Sequence, residues 1–289
     1  MCKNGLIGWV PICGLNLKSL VTSGRPLLSN QVHLWKVPFP FPSSDLSARL
    51  NKSYSKIFSN DELIRVNNYT DQNSQMRYVI ARLLLRRVLS SYLECSPSCI
   101  ELKYGIKGKP YLSVITPRQL EFNLSHCRDS AVLGVCWDFE IGVDIENGNR
   151  KIRSLDQFMR RFFTDFERNQ IVEFGKRFRD GNEREVALKN AVLFGWTLKE
   201  AFVKATGEGI VRSLTSFDID FALNMNSIDA WKCSKPSIHS IDGFKHSQTQ
   251  WNLQSIDIGS NMIGSFALNS PNHADCCLFE TNYDELLDP

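Results

Sequence analysis

The chain of 289 residues lacks the features that would place it in several common protein classes. No apolar run approaches the roughly 20 residues that a helix needs to cross a bilayer, so we expect no membrane partner. The formal net charge is only +3, which is too small to indicate a nucleic-acid partner. Because 43% of the residues are apolar, the chain can bury a substantial core, as one large domain or two modest ones.

The nine cysteines include no CxxC pair. Cys95 and Cys99 are four positions apart, and Cys276 and Cys277 are adjacent. Neither pair has His or Cys partners at the spacing of a zinc site. The odd number and scattered positions also do not suggest a disulfide framework. We therefore predict reduced thiols in an intracellular protein.

Acidic residues are missing from the beginning of the chain, where Asp45 is the first. Residues 1–30 contain Lys3, Lys18 and Arg25, so subtracting these three charges from +3 leaves the rest of the chain neutral. A basic, serine-containing segment without acids resembles an organelle transit peptide. A disordered tail or an alternative translation start would show the same composition. The expected location is therefore the cytosol or, with a transit peptide, a mitochondrion or plastid.

Strand and helix patterns follow each other twice along the remaining chain. A strand over 31–37 precedes a long amphipathic helix over 71–92 and two strands within 122–136. A strand over 141–145 then precedes helices within 155–205 and closing strands up to residue 268. This order predicts an α+β fold with two similar halves, 31–140 and 141–270. Residues 271–289 are expected to form a poorly ordered tail.

Two segments carry residues suited to phosphate chemistry. Glu200 and Lys204 are four positions apart in a predicted helix and share one face. Asp144 and Glu146 alternate in a predicted strand and point to the same side. Three carboxylates and a lysine on two elements suit a Mg²⁺ site that handles phosphate. The alternatives are a solvated strand face and an ion pair between Glu200 and Lys204.

Further motifs lie before, between and after these two segments. They are the arginine helix around Arg77, Gly108-Lys109-Pro110, Phe122-Asn123-Leu124-Ser125-His126, Arg161-Phe162-Phe163 followed by Glu167, and Gly207 with Gly209. Over about residues 31–220 the chain resembles the Sfp-type 4′-phosphopantetheinyl transferases. The resemblance implies an α+β fold whose two similar halves pack as a pseudo-dimer within a monomer.

The resemblance also implies an activity. Such enzymes move the 4′-phosphopantetheine arm of coenzyme A to a serine of an apo acyl or peptidyl carrier protein, and they release adenosine 3′,5′-bisphosphate. Mg²⁺ is the implied cofactor, because a metal and cations neutralise the charge that develops in phosphoryl transfer. The sequence does not distinguish among fatty-acid, polyketide, peptide-synthetase and aminoadipate-reductase carriers, so a link to fatty-acid or lysine biosynthesis is an expectation.

The resemblance assigns the acids and Lys204 to the reaction centre. Asp144, Glu146 and Glu200 would hold Mg²⁺, and Lys204 would stabilise the developing charge. Glu167 corresponds to a family acid that serves as a metal ligand or as the general base. The base could equally be Glu200 or a metal-bound water.

The resemblance assigns a second group of residues to coenzyme A. Ser125 and His126 would contact its 3′-phosphate, and Arg77 and Lys109 would contact its phosphates. Lys199 is a further candidate, although it projects roughly 100° away from Glu200 around the helix. Arg82, Arg86 and Arg87 are expected at the surface or at an interface. Candidates for an apolar carrier-binding patch are Phe158, Met159, Phe162 and Phe163, although aromatic residues at helical spacing more often belong to the core. Cys127 departs from the small polar residue that is common after the Ser-His pair.

Two other functions compete with an active transferase. A non-catalytic module on the same fold could bind coenzyme A or a carrier protein, but the presence of all the expected acids and Lys204 favours an enzyme. A nucleic-acid binder could use the basic helices around Arg86 and Arg160. The near-neutral charge of residues 31–289 argues against it.

Overall fold

The computed structural model describes residues 10–11, 27–114, 117–209, 213–223, 226–242, 244–245, 251–259 and 261–287. Most of the predicted leader, including its three basic residues, lies outside these ranges. Within the described part of the chain, no helix combines the length and apolar character required to cross a membrane.

Helices and strands are mixed along the chain. The strands are β1 (Val10–Pro11), β2 (Gln31–Pro38), β3 (Leu102–Tyr104), β4 (Pro110–Leu112), β5 (Leu120–His126), β6 (Ser130–Trp137), β7 (Ile141–Asn147), β8 (Phe217–Asp220), β9 (Ser237–Ile241), β10 (Phe244–Lys245), β11 (Trp251–Asp257), β12 (Met262–Asn269) and β13 (Asp275–Glu280). The α-helices are α1 (Ser44–Tyr54), α2 (Asn60–Asn67), α3 (Gln72–Tyr92), α4 (Leu155–Phe162), α5 (Asp165–Gly175), α6 (Gly181–Thr206) and α7 (Tyr283–Leu287). Two 3₁₀ helices cover Pro97–Cys99 and Ala230–Cys233.

Both halves of the chain have the same basic topology. In the first half, β2 precedes the long helix α3 and the hairpin β5–β6, and β6 pairs antiparallel with both β5 and β2. In the second half, β7 precedes the long helix α6 and the hairpin β11–β12, and β12 pairs antiparallel with both β11 and β7. The prediction of an α+β fold with two similar halves is confirmed.

Each half has its own apolar core. The first core surrounds α3, and the second surrounds α6. A third cluster contains Val32 and Val132 from the first half together with Val143 and Phe266 from the second. This shared cluster holds the two sheets against each other, which allows residues from both halves to contribute to one site.

Arg82, Arg86 and Arg87 of α3 are buried, so the prediction that these three arginines lie at the surface or at an interface is wrong. Nε of Arg82 lies 3.0 Å from Oε1 of Glu62, and Nε of Arg86 lies 2.8 Å from Oε2 of the same carboxylate. Arg87 donates a hydrogen bond to the carbonyl oxygen of Leu286 at 3.0 Å. These bonds compensate the guanidinium groups for lost hydration and tie α3 to α2 and α7.

The end of the chain is ordered through residue 287, which corrects the prediction of a loose tail over 271–289. β13 lies between β1 and β2 and pairs in parallel with both. Phe279 of β13 stacks on Trp35 of β2 with a centroid distance of 4.6 Å. Leu286 and Leu287 are buried in the first core. Burial of these apolar side chains stabilises the docked position of the segment.

A glycine allows β7 and α6 to pack in direct contact. A Cβ atom on Gly142 would lie 2.0 Å from the carbonyl oxygen of Ala201 and 2.4 Å from the backbone nitrogen of Ala205. Both atoms belong to the backbone of α6, so a side chain here would force the helix away from the strand. The close contact places Asp144 and Glu146 of β7 beside the helical turn that carries Glu200 and Lys204.

Candidate active site

The candidate site lies where β5 of the first half and β7 of the second run side by side, a contact that we call the seam. The two strands belong to different sheets. Side chains of β5 make the polar contacts across the seam: Asn123 Oδ1 accepts the N–H of Val143 at 2.9 Å, and Ser125 Oγ donates to Asp144 Oδ1 at 3.0 Å. The seam therefore brings the Ser-His motif against the acidic strand.

Lys204 reaches the seam from α6. Its Nζ lies 2.6 Å from Oδ1 of Asp144, 3.1 Å from Oγ of Ser125 and 3.1 Å from the carbonyl oxygen of Val143. Asp144 is buried, with 7% of its surface exposed, whereas Lys204 is only partly buried. Ser125, Asp144 and Lys204, which the sequence analysis drew from separate motifs, thus form one hydrogen-bonded group.

Glu146 and Glu200, the other two predicted metal ligands, lie close to Asp144. Burial raises the pKa of Glu200, and the negative charges of Asp144 and Glu146 raise it further. Burial likewise raises the pKa of Glu146, against the opposing effect of Arg150, with which it forms an ion pair. The charges of Asp144 and Glu146 thus oppose the ionisation of Glu200, and a cation bound to this acidic group would relieve the repulsion.

The donor chemistry of these acids fits Mg²⁺. Oδ2 of Asp144 is buried and has no hydrogen-bond partner within the described ranges, which is unusual for a buried carboxylate oxygen. Hard carboxylate oxygens are the ligands that Mg²⁺ prefers. However, no three His, Cys, Asp or Glu side chains within those ranges are grouped closely enough to hold a metal as they stand.

An open cleft of about 910 Å³ connects the acidic group to α3. Its lining includes Glu146 and the cations Arg77, Arg128, Arg150 and Lys151. Its other wall is apolar and is formed by residues 39–42 together with Met76. A cationic cleft that ends at carboxylates is suited to a phosphorylated ligand.

His126 is exposed at its position beside this cleft. Partial desolvation of the ring lowers the pKa of His126, and the positive charges of Lys204 and Arg77 lower it further. The neighbouring Cys127 lines the cleft, with its Sγ 3.7 Å from Sδ of Met262. Burial raises the pKa of this thiol, which favours the protonated, less nucleophilic form.

Lys109, which directly precedes β4, packs against the end of α6. Its Nζ donates a hydrogen bond to the carbonyl oxygen of Ala205 at 2.7 Å, and burial lowers its pKa. Gly207, in the left-handed conformation with φ of 69°, ends the helix beside the Lys109 side chain. The structure thus places Lys109 against the turn that follows Lys204, and its contact with a phosphate stays a prediction.

The structure does not place Glu167 and Lys199 at the seam. Both side chains are fully buried, and Nζ of Lys199 lies 2.5 Å from Oε1 of Glu167. Lys199 also donates to the carbonyl oxygen of Phe217 at 2.9 Å, and Oε1 of Glu167 accepts the N–H of Ile219 at 2.9 Å. This position does not favour a catalytic Glu167 or a coenzyme-binding Lys199, which stay predictions, because the pair joins α5, α6 and β8.

Two polar residues of the site, Asn123 and Arg150, were not among the predicted site residues. The guanidinium of Arg150 lies 5.6 Å from the ring centroid of Phe158 and 5.5 Å from that of Trp196, beside Glu146. Arg150 follows Glu146 by four positions, but it lies in a turn, where this spacing carries no helical meaning. Asn123 stands within the Ser-His motif, and its bond across the seam depends on a strand 20 residues away.

The aromatic candidates for a carrier interface divide into two groups. Phe163 is fully buried and belongs to the second core. Phe158 and Phe162 are partly exposed and pack against Trp196, with centroid distances of 5.2 and 4.8 Å. Only the second group lies next to Arg150 and can be reached by a partner.

Comparison with family models matches both halves of the chain. Residues 47–137 match the model of the 4′-phosphopantetheinyl transferase N-terminal domain, and residues 140–262 match that of the 4′-phosphopantetheinyl transferase superfamily. The two matches meet between β6 and β7, where the two halves described above also meet.

Individual relatives agree with these matches. The chain is 33% identical over 187 residues to the 4′-phosphopantetheinyl transferase HetI of Nostoc sp.. The aligned region covers 64% of this chain and 73% of HetI. The chain is 31% identical over 180 residues to a protein of Synechocystis sp. described as a putative 4′-phosphopantetheinyl transferase, covering 62% of this chain and 66% of that protein. It is 25% identical over 218 residues to the human L-aminoadipate-semialdehyde dehydrogenase-phosphopantetheinyl transferase, covering 73% of this chain and 67% of the human protein.

Proposed function

Because the chain belongs to the 4′-phosphopantetheinyl transferase family, whose substrate is coenzyme A, we propose how its own residues carry out the transfer. The phosphopantetheine arm passes to a serine of an apo carrier protein, and adenosine 3′,5′-bisphosphate leaves. The observation that carries this proposal is the joining of Ser125, Asp144 and Lys204 across the seam. A cofactor bound in the adjoining cleft would contact both halves of the chain at this point.

The cationic part of the cleft binds coenzyme A in this proposal. Ser125 and His126 contact the 3′-phosphate, and Arg77 approaches the same phosphate from α3. Arginine suits this task because its planar guanidinium can donate two parallel hydrogen bonds to one phosphate. Lys109 packs against the end of α6 and contributes positive charge to the same site.

Asp144, Glu146 and Glu200 would hold Mg²⁺, and the buried, unpartnered Oδ2 of Asp144 supports this assignment. When bound, the metal would neutralise charge on the pyrophosphate of coenzyme A. Lys204 stabilises the charge that develops on the departing phosphate. Glu200 is our candidate for the base that accepts the proton of the attacking serine, since Glu167 is buried in its own ion pair.

The acceptor in this proposal is a carrier domain, of the fatty-acid, polyketide, peptide-synthetase or aminoadipate-reductase type. The name of the human relative links that protein to L-aminoadipate-semialdehyde dehydrogenase. The partly exposed rings of Phe158 and Phe162 beside Arg150 form the proposed approach surface. Because one chain supplies both sides of the seam, a monomer is sufficient for activity. A location in the cytosol, or in an organelle if residues 1–30 act as a transit peptide, completes the proposal.

Mass spectrometry of an intact carrier protein tests this function. The purified protein is incubated with coenzyme A, Mg²⁺ and apo carriers of the four types, and a carrier whose acceptor serine is replaced by alanine serves as control. We expect one or more wild-type carriers to gain the mass of phosphopantetheine, and this gain to disappear with EDTA. Binding of coenzyme A without any mass gain would instead support the non-catalytic module.

A further inference from the structure

The backbone of Val143 is held on its seam side by two side chains from different halves of the protein. Its N–H donates to Oδ1 of Asn123 at 2.9 Å, and its carbonyl oxygen accepts from Nζ of Lys204 at 3.1 Å. In an antiparallel strand, the N–H and carbonyl of one residue point to the same side. Val143 therefore turns both groups toward β5 and α6, while the neighbouring residues of β7 bond to β12.

We infer that Asn123 is a positioning residue for the transfer reaction, which acts by fixing Val143 and hence the adjacent Asp144. This inference rests on the proposed roles of Asp144 and Lys204. Asn123 is buried, with 6% of its surface exposed, so water does not compete for its bond to the Val143 N–H. Its amide oxygen accepts this N–H as a carbonyl oxygen of a neighbouring strand would. Two residues further along β5, Ser125 bonds directly to Asp144.

The arrangement links cofactor recognition to the reaction centre. Asn123, Ser125 and His126 lie on one strand, so the strand that would read the 3′-phosphate also sets the position of the metal-binding carboxylate. Loss of the Asn123 bond would leave the Val143 N–H without its partner and allow β7 to shift relative to β5. A displacement of about 1 Å can reduce a catalysed rate about a hundredfold.

Asn123→Ala tests the inference, with Gln170→Ala as a matched control. Oε1 of Gln170 accepts the N–H of Phe221 at 2.8 Å, and its Nε2 donates to the carbonyl oxygen of Ile219 at 2.9 Å. The control therefore also removes a side-chain amide that accepts a backbone N–H, but on α5, together with one further backbone bond. We expect kcat to fall about tenfold to a hundredfold in Asn123→Ala, with less than about a threefold change in KM for coenzyme A. Gln170→Ala should lower the thermal stability and leave kcat unchanged.

Calorimetry provides a readout that does not depend on turnover. Adenosine 3′,5′-bisphosphate should bind Asn123→Ala about as well as wild type, because Ser125 and His126 are retained. Titration with Mg²⁺ in the presence of this ligand should show weakened metal binding. Asn123→Gln keeps an uncharged amide oxygen on a side chain that is one methylene longer. We expect it to restore most of kcat and the metal affinity, which also covers the case in which the alanine variant does not fold.

Normal kcat and normal Mg²⁺ binding in a folded Asn123→Ala protein would overturn the inference, as would an Asn123→Gln enzyme with wild-type stability and a hundredfold defect. Asp144→Ala, measured in parallel, separates this failure from that of the proposed function. If Asp144→Ala is inactive while Asn123→Ala is normal, only the positioning role fails. If Asp144→Ala is active, the proposed function of the site itself is wrong.

Discussion

Nζ of Lys204 lies 2.6 Å from Oδ1 of Asp144, so the lysine of α6 is ion-paired at the seam with a residue of β7 from the same half. The sequence also allowed an ion pair between Lys204 and Glu200 on the same helix, but the described structure places the ammonium group on Asp144 instead. This pairing leaves Glu200 beside two other carboxylates. The same lysine thus supports the position of Asp144 and, in the proposed mechanism, stabilises the charge that develops in the reaction.

The first prediction concerns the three acids. Asp144→Ala, Glu146→Ala and Glu200→Ala should each reduce turnover roughly a hundredfold or more, because loss of a metal ligand removes several kcal/mol of transition-state stabilisation. Steady-state assays across a Mg²⁺ titration measure the effect. Asp156→Ala, which removes an exposed acid paired with Arg160, is the control and should behave like wild type. Near-normal rates for Asp144→Ala at ordinary Mg²⁺ would contradict the metal assignment.

Lys204→Met should lower the rate of the chemical step about a hundredfold or more while changing coenzyme A binding little. Methionine keeps most of the apolar stem and removes the charge that meets the departing phosphate. Lys204→Arg should recover only part of the rate, because a planar guanidinium does not replace a compact ammonium. Single-turnover kinetics at saturating cofactor measure the step, with Lys176→Met as an exposed control. An unchanged chemical rate would reduce Lys204 to a structural partner of Asp144.

His126→Ala should weaken coenzyme A binding more than it weakens 3′-dephospho-coenzyme A binding. A hydrogen bond to a charged group contributes roughly 1.5–3 kcal/mol, which corresponds to about tenfold or more in affinity. Calorimetric titration of both cofactors into wild type and variant gives the comparison. Equal weakening of the two cofactors would show that His126 does not contact the 3′-phosphate.

The same histidine should make coenzyme A binding depend on pH. In the free protein the pKa of His126 is lowered, so the ring is neutral above that lowered value. A bound phosphate favours the protonated ring and raises its pKa, so binding takes up a proton between the two pKa values. Affinity should therefore fall as the pH rises through this window. Calorimetry in buffers of different ionisation enthalpy measures the uptake, and its persistence in His126→Ala would assign it to the phosphate.

The Glu167–Lys199 pair should act on stability and not on catalysis. Lys199→Met should destabilise the protein by about 3–5 kcal/mol, because it leaves a buried carboxylate without its cation. Glu167→Gln combined with Lys199→Met removes both charges and keeps an oxygen for the Ile219 N–H, so it should be less destabilised. Urea unfolding and kcat at low temperature test both points. A stable double variant that has lost most of its kcat would restore a catalytic role to Glu167.

Gly142→Ala should destabilise the protein by about 1–3 kcal/mol and lower kcat, because the new methyl group meets the backbone of α6 at Ala201 and Ala205. Gly181→Ala is the matched control. A Cβ at this first position of α6 meets nothing within 4 Å, and alanine favours helix more than glycine does. Thermal unfolding and steady-state kinetics are the measurements. Wild-type stability in Gly142→Ala would show that α6 is not held in place by this contact.

The sequence predicted those parts of the site that depend on local periodicity. Helical spacing placed Glu200 and Lys204 on one face, and strand alternation placed Asp144 and Glu146 on one side. It did not predict the burial of Lys199, since a charged residue in a helix looks exposed until its partners are known. Those partners, Glu167 and Phe217, lie on separate elements. The docking of β13 was missed for a similar reason, because pairing between distant strands leaves no local pattern.

The position of β13 has a consequence for how the protein is made. β2 emerges from the ribosome before the whole second half is made, whereas its parallel neighbour β13 follows that half in the chain. Until β13 and α7 are made, one edge of β2 and the apolar surface that α7 covers have no partner. Pairing strands at such long sequence separation is slow, and an open edge can pair with another chain in the meantime. The first half therefore depends on the synthesis of β13 and α7 for its final structure, and chaperones that shield strand edges would raise the yield of folded protein.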